Sequence, residues 1–153
     1  MTFEKKYVDP TEDQDAAQVE AYYRAVKPGD GAVVRCTQGN LLRFVVDKIA
    51  EGSPKRGRVY LEHGEDHGGK AYYAKNGKSC FQPKGQSHLV VPTEVVMAWI
   101  EERKTEARLN HGDTFGVSVL RYEVANVNVV PPGLRSPDAK TEPRAFRPKR
   151  EVI

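Results

Sequence analysis

Residues 58–92 read RVYLEHGEDHGGKAYYAKNGKSCFQPKGQSHLVVP. Short apolar runs, an Asn76-Gly77 pair, four further glycines, basic residues and three tyrosines are packed into this one block. In RVYLEH the alternation turns Val59 and Leu61 to one side and Arg58, Tyr60 and Glu62 to the other, the period of a half-buried strand. KAYYAK and KSCFQ flank Asn76-Gly77, which suits the two positive-φ positions of a type I′ hairpin turn. His63 to Gly69 reads as a glycine-rich turn, PKGQ as another, and SHLVVP as a short buried strand. Short strands joined by tight turns specify a small β-structure.

The pattern extends upstream. GAVVRCT and LLRFVVDKIA, separated by Gln38-Gly39-Asn40, predict a hairpin from Gly31. In its second strand Leu42, Phe44 and Val46 share one face, and Leu41, Arg43, Val45 and Asp47 the other. Gly52-Ser53-Pro54-Lys55-Arg56-Gly57 is a loop by composition. Before the hairpin, Asp9-Pro10-Thr11-Glu12 has the form of a helix start, with Asp9 as cap, Pro10 in the first turn and Glu12 reaching back. Ala16, Val19, Tyr23 and Val26 then make one apolar stripe, and Lys27-Pro28-Gly29-Asp30 ends the helix.

Downstream, Thr93 is placed to cap a helix within residues 93–110, with Val95, Val96, Trp99 and Ile100 as its apolar face. Beyond Ile100 the run EERKTEARLN is mostly charged, so this half is expected to face solvent or a partner. VSVLRYEVANVNVV alternates like a strand, but its phase slips near Ala125–Val127, which predicts a bulge or two strands. Residues 131–153 hold five prolines and six basic residues among few apolar ones. Such a segment cannot bury enough surface to fold by itself and reads as an extended arm.

Five or six short strands after Lys-Pro-Gly-Asp resemble a small SH3-like barrel in outline, over roughly residues 28–92. The resemblance rests on strand rhythm, and barrels of this kind serve many functions, so it implies no activity. The expected fold is α+β: a small antiparallel SH3-like β-barrel or curled sheet, two flanking helices and an extended C-terminal arm. Residues 1–30 form the N-terminal segment with its amphipathic helix. Residues 31–130 form the β-rich core including helix 93–110, and residues 131–153 the arm.

The formal charge of the 153 residues is +3, unevenly spread. Residues 1–30 carry a net −3, 31–92 a net +5, 93–130 a net −2 and 131–153 a net +3. Positive charge on the central block and on the tail favours anionic partners at two places. Cys36 and Cys80 are too few for a disulfide framework and sit inside strand-like runs, where cysteine behaves as a small buried hydrophobe. The first residues lack the apolar core of a signal peptide, and no run reaches transmembrane length. The expectation is a protein without membrane contact, cytoplasmic or inside an intracellularly assembled particle.

Chemistry-bearing residues are sparse. His63-Gly64-Glu65-Asp66-His67 offers two imidazoles and two carboxylates, but on a turn that does not align both histidines, so no metal or other cofactor is expected. A thiolate pairing of Cys36 or Cys80 with His88 would need an electropositive, accessible thiol, and both cysteines are mid-strand. Gly68-Gly69-Lys70 lacks the spacing of a phosphate-binding loop and precedes a strand. No catalytic residue is predicted and the chain is not expected to be an enzyme.

Nucleic-acid binding has better support. Arg56, Arg58, Tyr60, Tyr72, Lys75, Lys78 and Lys84 come from strands or turns of one small sheet, where tyrosines can stack bases while cations hold phosphates. Tyr72 is expected outside, opposite in phase to an inward Ala71 and Tyr73. The alternative is an assembly role, as a component of a virion or other large complex. There the arm, through Leu134, Arg144, Phe146, Arg147, Lys149 and Arg150, would bind neighbouring protein subunits, and sheet edges would add further contacts.

Overall fold

The computed structural model describes residues 6–67, 71–80, 86–110, 117–119 and 121–130. In chain order these form α1 (Ala16–Ala25), β1 (Gly31–Gln38), β2 (Leu41–Lys48), β3 (Arg58–Tyr60), the single-turn α2 (Gly64–His67) and β4 (Ala71–Tyr73). There follow β5 (Ser87–Val90), α3 (Glu94–Asn110), β6 (Ser118–Val119) and β7 (Glu123–Asn128). The main sheet runs β5-β1-β2-β7-β6, and β3 and β4 pair separately as a two-stranded sheet. All these ladders are antiparallel.

The main sheet is apolar on both faces at its centre, which is why its sequences read AVV and LLRFVV instead of alternating cleanly. Ala32, Val34 and Val45 enter one core with Ile49, Val59, Leu61, Tyr72, Ala74 and Leu89, closed by Val19, Tyr23 and Val26 from α1 and its C-cap. Val33, Leu42 and Phe44 enter a second core under α3, with Val90, Val96, Ile100, Val124 and Val127. Layer by layer, α3 lies on one side of the sheet, and α1 with the β3–β4 pair lies on the other. Each fully buried Val, Leu or Phe contributes about 1.5–3 kcal/mol, so both cores are needed.

The expected closed barrel is not formed among the described residues. β3 and β4 are three residues each. Among the described residues they meet the main sheet only through single bridges, Ile49 to Leu61 and, by way of Ser79 and Lys78, Tyr72 to Ser79 and Lys78 to His88. What stands is an α+β fold with an antiparallel sheet and flanking helices.

Four local expectations are corrected. The N-terminal helix starts six residues later than Asp9. Asp9 Oδ1 instead accepts the Thr11 backbone N–H and hydroxyl, holding a turn, and its other oxygen binds Arg35. Asp15 is the true cap, in a reciprocal capping box with Gln18, which leaves Ala16 exposed. Residues 64–67, expected in a turn, form one helical turn. The turn at Asn76-Gly77 is a four-residue loop, Ala74–Gly77, closed by Gly77 N–H donating to Tyr73 O at 2.7 Å and Tyr73 N–H to Lys78 O at 2.8 Å. Of the pair, only Gly77 takes a positive φ, 77°.

The fourth correction is on α3. Thr93 caps it as expected, its hydroxyl accepting Val96 N–H at 3.2 Å. Its charged half does not simply face water, because Arg103 is only 8% exposed. The guanidinium lies 4.1 Å from the Tyr7 ring centroid and 5.0 Å from that of Trp99, while Nε donates to Glu106. Tyr7 O–H donates to the same carboxylate at 2.6 Å. A buried arginine is tolerated here because its charge is met by a carboxylate and two ring faces. The predicted phase slip in the last strand is real. Asn126 has φ 61°, and the β2–β7 register shifts between Leu42 and Phe44.

Candidate nucleic-acid interface

The pairing register sets which side chains share a surface. Directly opposed residues of antiparallel strands project to one side. Arg58 opposes Tyr73, Tyr73 hydrogen-bonds with Lys78, Lys78 opposes His88, His88 opposes Arg35, Arg35 opposes Phe44, and Phe44 opposes Val124. One row thus crosses the molecule on a single face. From Phe44 onward it is fully buried beneath α3. Before that point no described helix covers it, and it carries cations and rings.

The uncovered part collects most of the residues expected to bind nucleic acid. Arg56, Arg58, Lys75 and Lys78 are exposed, and Tyr60 is 39% exposed. The Gly57 carbonyl accepts Ala74 N–H at 2.9 Å, which draws the Lys55–Arg58 loop against the Ala74–Gly77 loop. Lys75 Nζ lies 5.3 Å from the Tyr73 ring centroid. Among the described residues, none of Arg56, Arg58, Lys75 and Lys78 lies within ion-pair distance of a carboxylate. Arg35, at the border of the covered region, is held by Asp9, with Nε 2.8 Å from its carboxylate.

Tyr72 does not belong to this surface. It is 2% exposed, and it opposes Val59, which is wholly buried. Burial pushes its hydroxyl up to about 12. Tyr73, expected to point inward, is the outer ring instead, half-buried between Arg58 and Lys78. The sequence Ala-Tyr-Tyr-Ala has no phase of its own; the inward Val59 opposite Tyr72 sets it, and that pairing is tertiary information. Lys84 lies outside the described residues, as do the arm residues Leu134, Arg144, Phe146, Arg147, Lys149 and Arg150.

Two further side chains bear on the surface chemistry. His88 is half-buried, and burial holds its pKa below the ordinary histidine value, with Arg35 and Lys78 nearby adding to the effect. Burial also raises the thiol pKa of Cys80, against a smaller opposing pull from Arg58, which keeps it protonated and a poor nucleophile. Both cysteines are free and half-buried.

Glycine is required at one point beneath this face. Gly77 O accepts Leu89 N–H at 2.7 Å, and a Cβ at Gly77 would stand 2.7 Å from Leu89 O. The left-handed φ and this close backbone approach together exclude a side chain. The loop that carries Lys75, and on which Lys78 follows, is docked on β5 by that contact.

In the histidine segment singled out in the sequence, His63 is held by β2 and by Tyr122. Asp47, buried on β2, accepts the N–H groups of Lys48 and His63 at 2.7 and 3.0 Å, and its Oδ1 lies 3.0 Å from His63 Nδ1. The imidazole stacks on Tyr122, centroids 4.6 Å apart, and Tyr122 O–H donates to Asp66 at 3.2 Å. These contacts anchor α2 to β2 and to the start of β7. Among the described residues no group of three or more His, Cys, Asp or Glu side chains is arranged to hold a metal ion. Among the same residues no helix is long and apolar enough to cross a membrane.

Comparison with protein-family models, with curated proteins and with solved structures finds no match to the chain.

Proposed function

We propose that the protein is a non-enzymatic binding module that holds nucleic acid on the uncovered end of the Arg58–Tyr73–Lys78–His88–Arg35 row. One observation carries this reading. Arg58 and Lys78 flank the half-buried Tyr73 and Lys75 lies over its ring, on the part of the face that α3 leaves open, and among the described residues none of these cations is within ion-pair distance of a carboxylate. Clustered cations without internal partners raise the local potential and draw a polyanion, and rings among them can take up bases. The SH3-like outline belongs to the same reading. The chain path β1-β2-β3-β4-β5, with β5 returning to β1 and single bridges at the two weak junctions, supports an interrupted barrel.

The test is fluorescence anisotropy with labelled single- and double-stranded oligonucleotides at low salt. The expected result is binding that weakens steeply with salt and falls at least tenfold in the Arg58→Ala/Lys78→Ala double variant, at unchanged melting temperature. Tyr72→Phe should leave binding unchanged, because that ring lies in the core. Absence of binding to every oligonucleotide at low salt overturns the proposal, as does full affinity in the double variant.

A further inference from the structure

The order of side chains along the uncovered row goes beyond a patch of positive charge. Going from β3 to β1 it reads cation, ring, cation, ring, cation: Arg58, Tyr73, Lys78, His88, Arg35. Adjacent backbones in a sheet lie about 4.8 Å apart, so the cations recur roughly every 10 Å and the row spans about 19 Å. Each interval between cations holds one flat ring, and both rings are half-buried and held by sheet pairing. The His88 ring is further fixed by its Nδ1, 3.1 Å from Leu89 O.

We propose that the occupant of this row is a single strand of nucleic acid lying across the β-strands. Its phosphates meet Arg58 and Lys78, while Arg35 stays paired with Asp9 at the row's end, and its unpaired bases meet Tyr73 and His88. This rests on the nucleic-acid reading above and narrows it to one class of ligand. A duplex keeps its bases stacked inside, so it could use the cations but not the rings, and reaching a ring would cost unstacking. A single strand exposes a base face at each nucleotide, and a fixed aromatic ring contributes about 1–3 kcal/mol per stacked base. The row is short, and roughly 4 nucleotides are enough to span it, the low end for a small β-rich binder. Tyr60, two residues along β3 from Arg58 on the same face, lies beside the row and offers a third ring, this one exposed.

The experiment measures affinity of the full chain for one labelled sequence in three forms: single-stranded DNA, single-stranded RNA and DNA duplex. A length series from dinucleotide to decanucleotide is run alongside. The single strand should bind at least tenfold more tightly than the duplex, and per-site affinity should stop rising near tetranucleotide length. The salt slope should be about −1.4, as phosphate contacts to the two unpaired cations of the row, Arg58 and Lys78, require on a single strand. Tyr73→Ala and His88→Ala should each lower single-strand affinity at least fivefold and leave the weak duplex binding unchanged; circular dichroism confirms that the variants fold. If Tyr73→Ala is unstable, Tyr73→Leu removes the ring and keeps the bulk. Equal or tighter duplex binding, or single-strand affinity indifferent to both ring substitutions, overturns the inference while leaving nucleic-acid binding intact. No binding in any form overturns both. The DNA and RNA arms identify which strand is preferred, and a preference for either supports the inference if the duplex is weaker.

Discussion

The two ends of one row of residues behave as different materials. At Phe44 and Val124 the row is dry, packed under α3 and edge-on to Trp99 at 5.4 Å between centroids. At Arg58, Tyr73 and Lys78, on the same face of the connected strands, it meets solvent with cations. The border falls at Arg35, whose charge is taken by Asp9. A sheet face need not be wholly core or wholly surface. Where a helix covers it, apolar side chains hold the fold together, and where the helix stops, the same backbone geometry spaces functional groups at regular intervals.

Substitutions at the two ends should therefore separate stability from binding. The largest effect is expected at the covered end. Phe44→Ala empties a fully buried site and should cost about 3–5 kcal/mol, read as a lowered denaturation midpoint in urea. A loss below 1 kcal/mol would mean that α3 does not seal this half as described. Next comes Gly77→Ala, which sets a Cβ against the Leu89 carbonyl at positive φ and should cost about 2–3 kcal/mol. Because this contact docks the Lys75 loop on β5, affinity should fall with stability, unlike at Phe44.

A smaller effect is expected at alkaline pH. Tyr72 has its pKa raised to about 12 by burial, against 10 in the unfolded chain. A raised phenol pKa contributes stability that is complete below pH 10 and is lost as pH rises from 10 towards 12. At pH 11 this share amounts to about 1 kcal/mol, and Tyr72→Phe should abolish it, measured as the difference between urea midpoints at pH 8 and pH 11. Tyr23, whose hydroxyl donates to Val90 O and accepts from Val33 N–H between β1 and β5, is raised in the same direction and should act in parallel. The smallest change in stability belongs to the uncovered end. Lys78→Ala or Arg58→Ala should move it by less than about 0.5 kcal/mol, since neither side chain is buried or paired among the described residues. A larger loss would show that these cations serve the fold and not a ligand.

Much of this was legible in advance because it depends on neighbouring residues. Gly39-Asn40 between two apolar runs marks the first hairpin, Thr93 caps α3, and the slip at Ala125–Val127 announces the bulge at Asn126. The α1 start lies later than the local pattern at Asp9 implies, because Asp15 forms the capping box with Gln18. Arg35, far along the chain, draws Asp9 away. Arg103 looked like a solvent residue because nothing in EERKTEARLN reveals that Tyr7, nearly a hundred residues earlier, supplies a ring for it.

The sequence alone determined the elements and the residue types available to the uncovered face: short strands, two helices, and basic and aromatic residues concentrated in residues 58–92. Turn chemistry, capping and periodicity act over a few residues and can be read in one dimension. Only the tertiary structure decided which tyrosine is core and which is surface, that the sheet stays open, and that α3 covers one end of the row and not the other. Those outcomes depend on strand register and on which apolar faces meet. Register couples residues far apart in the chain, and a shift of one residue exchanges the two faces of a strand.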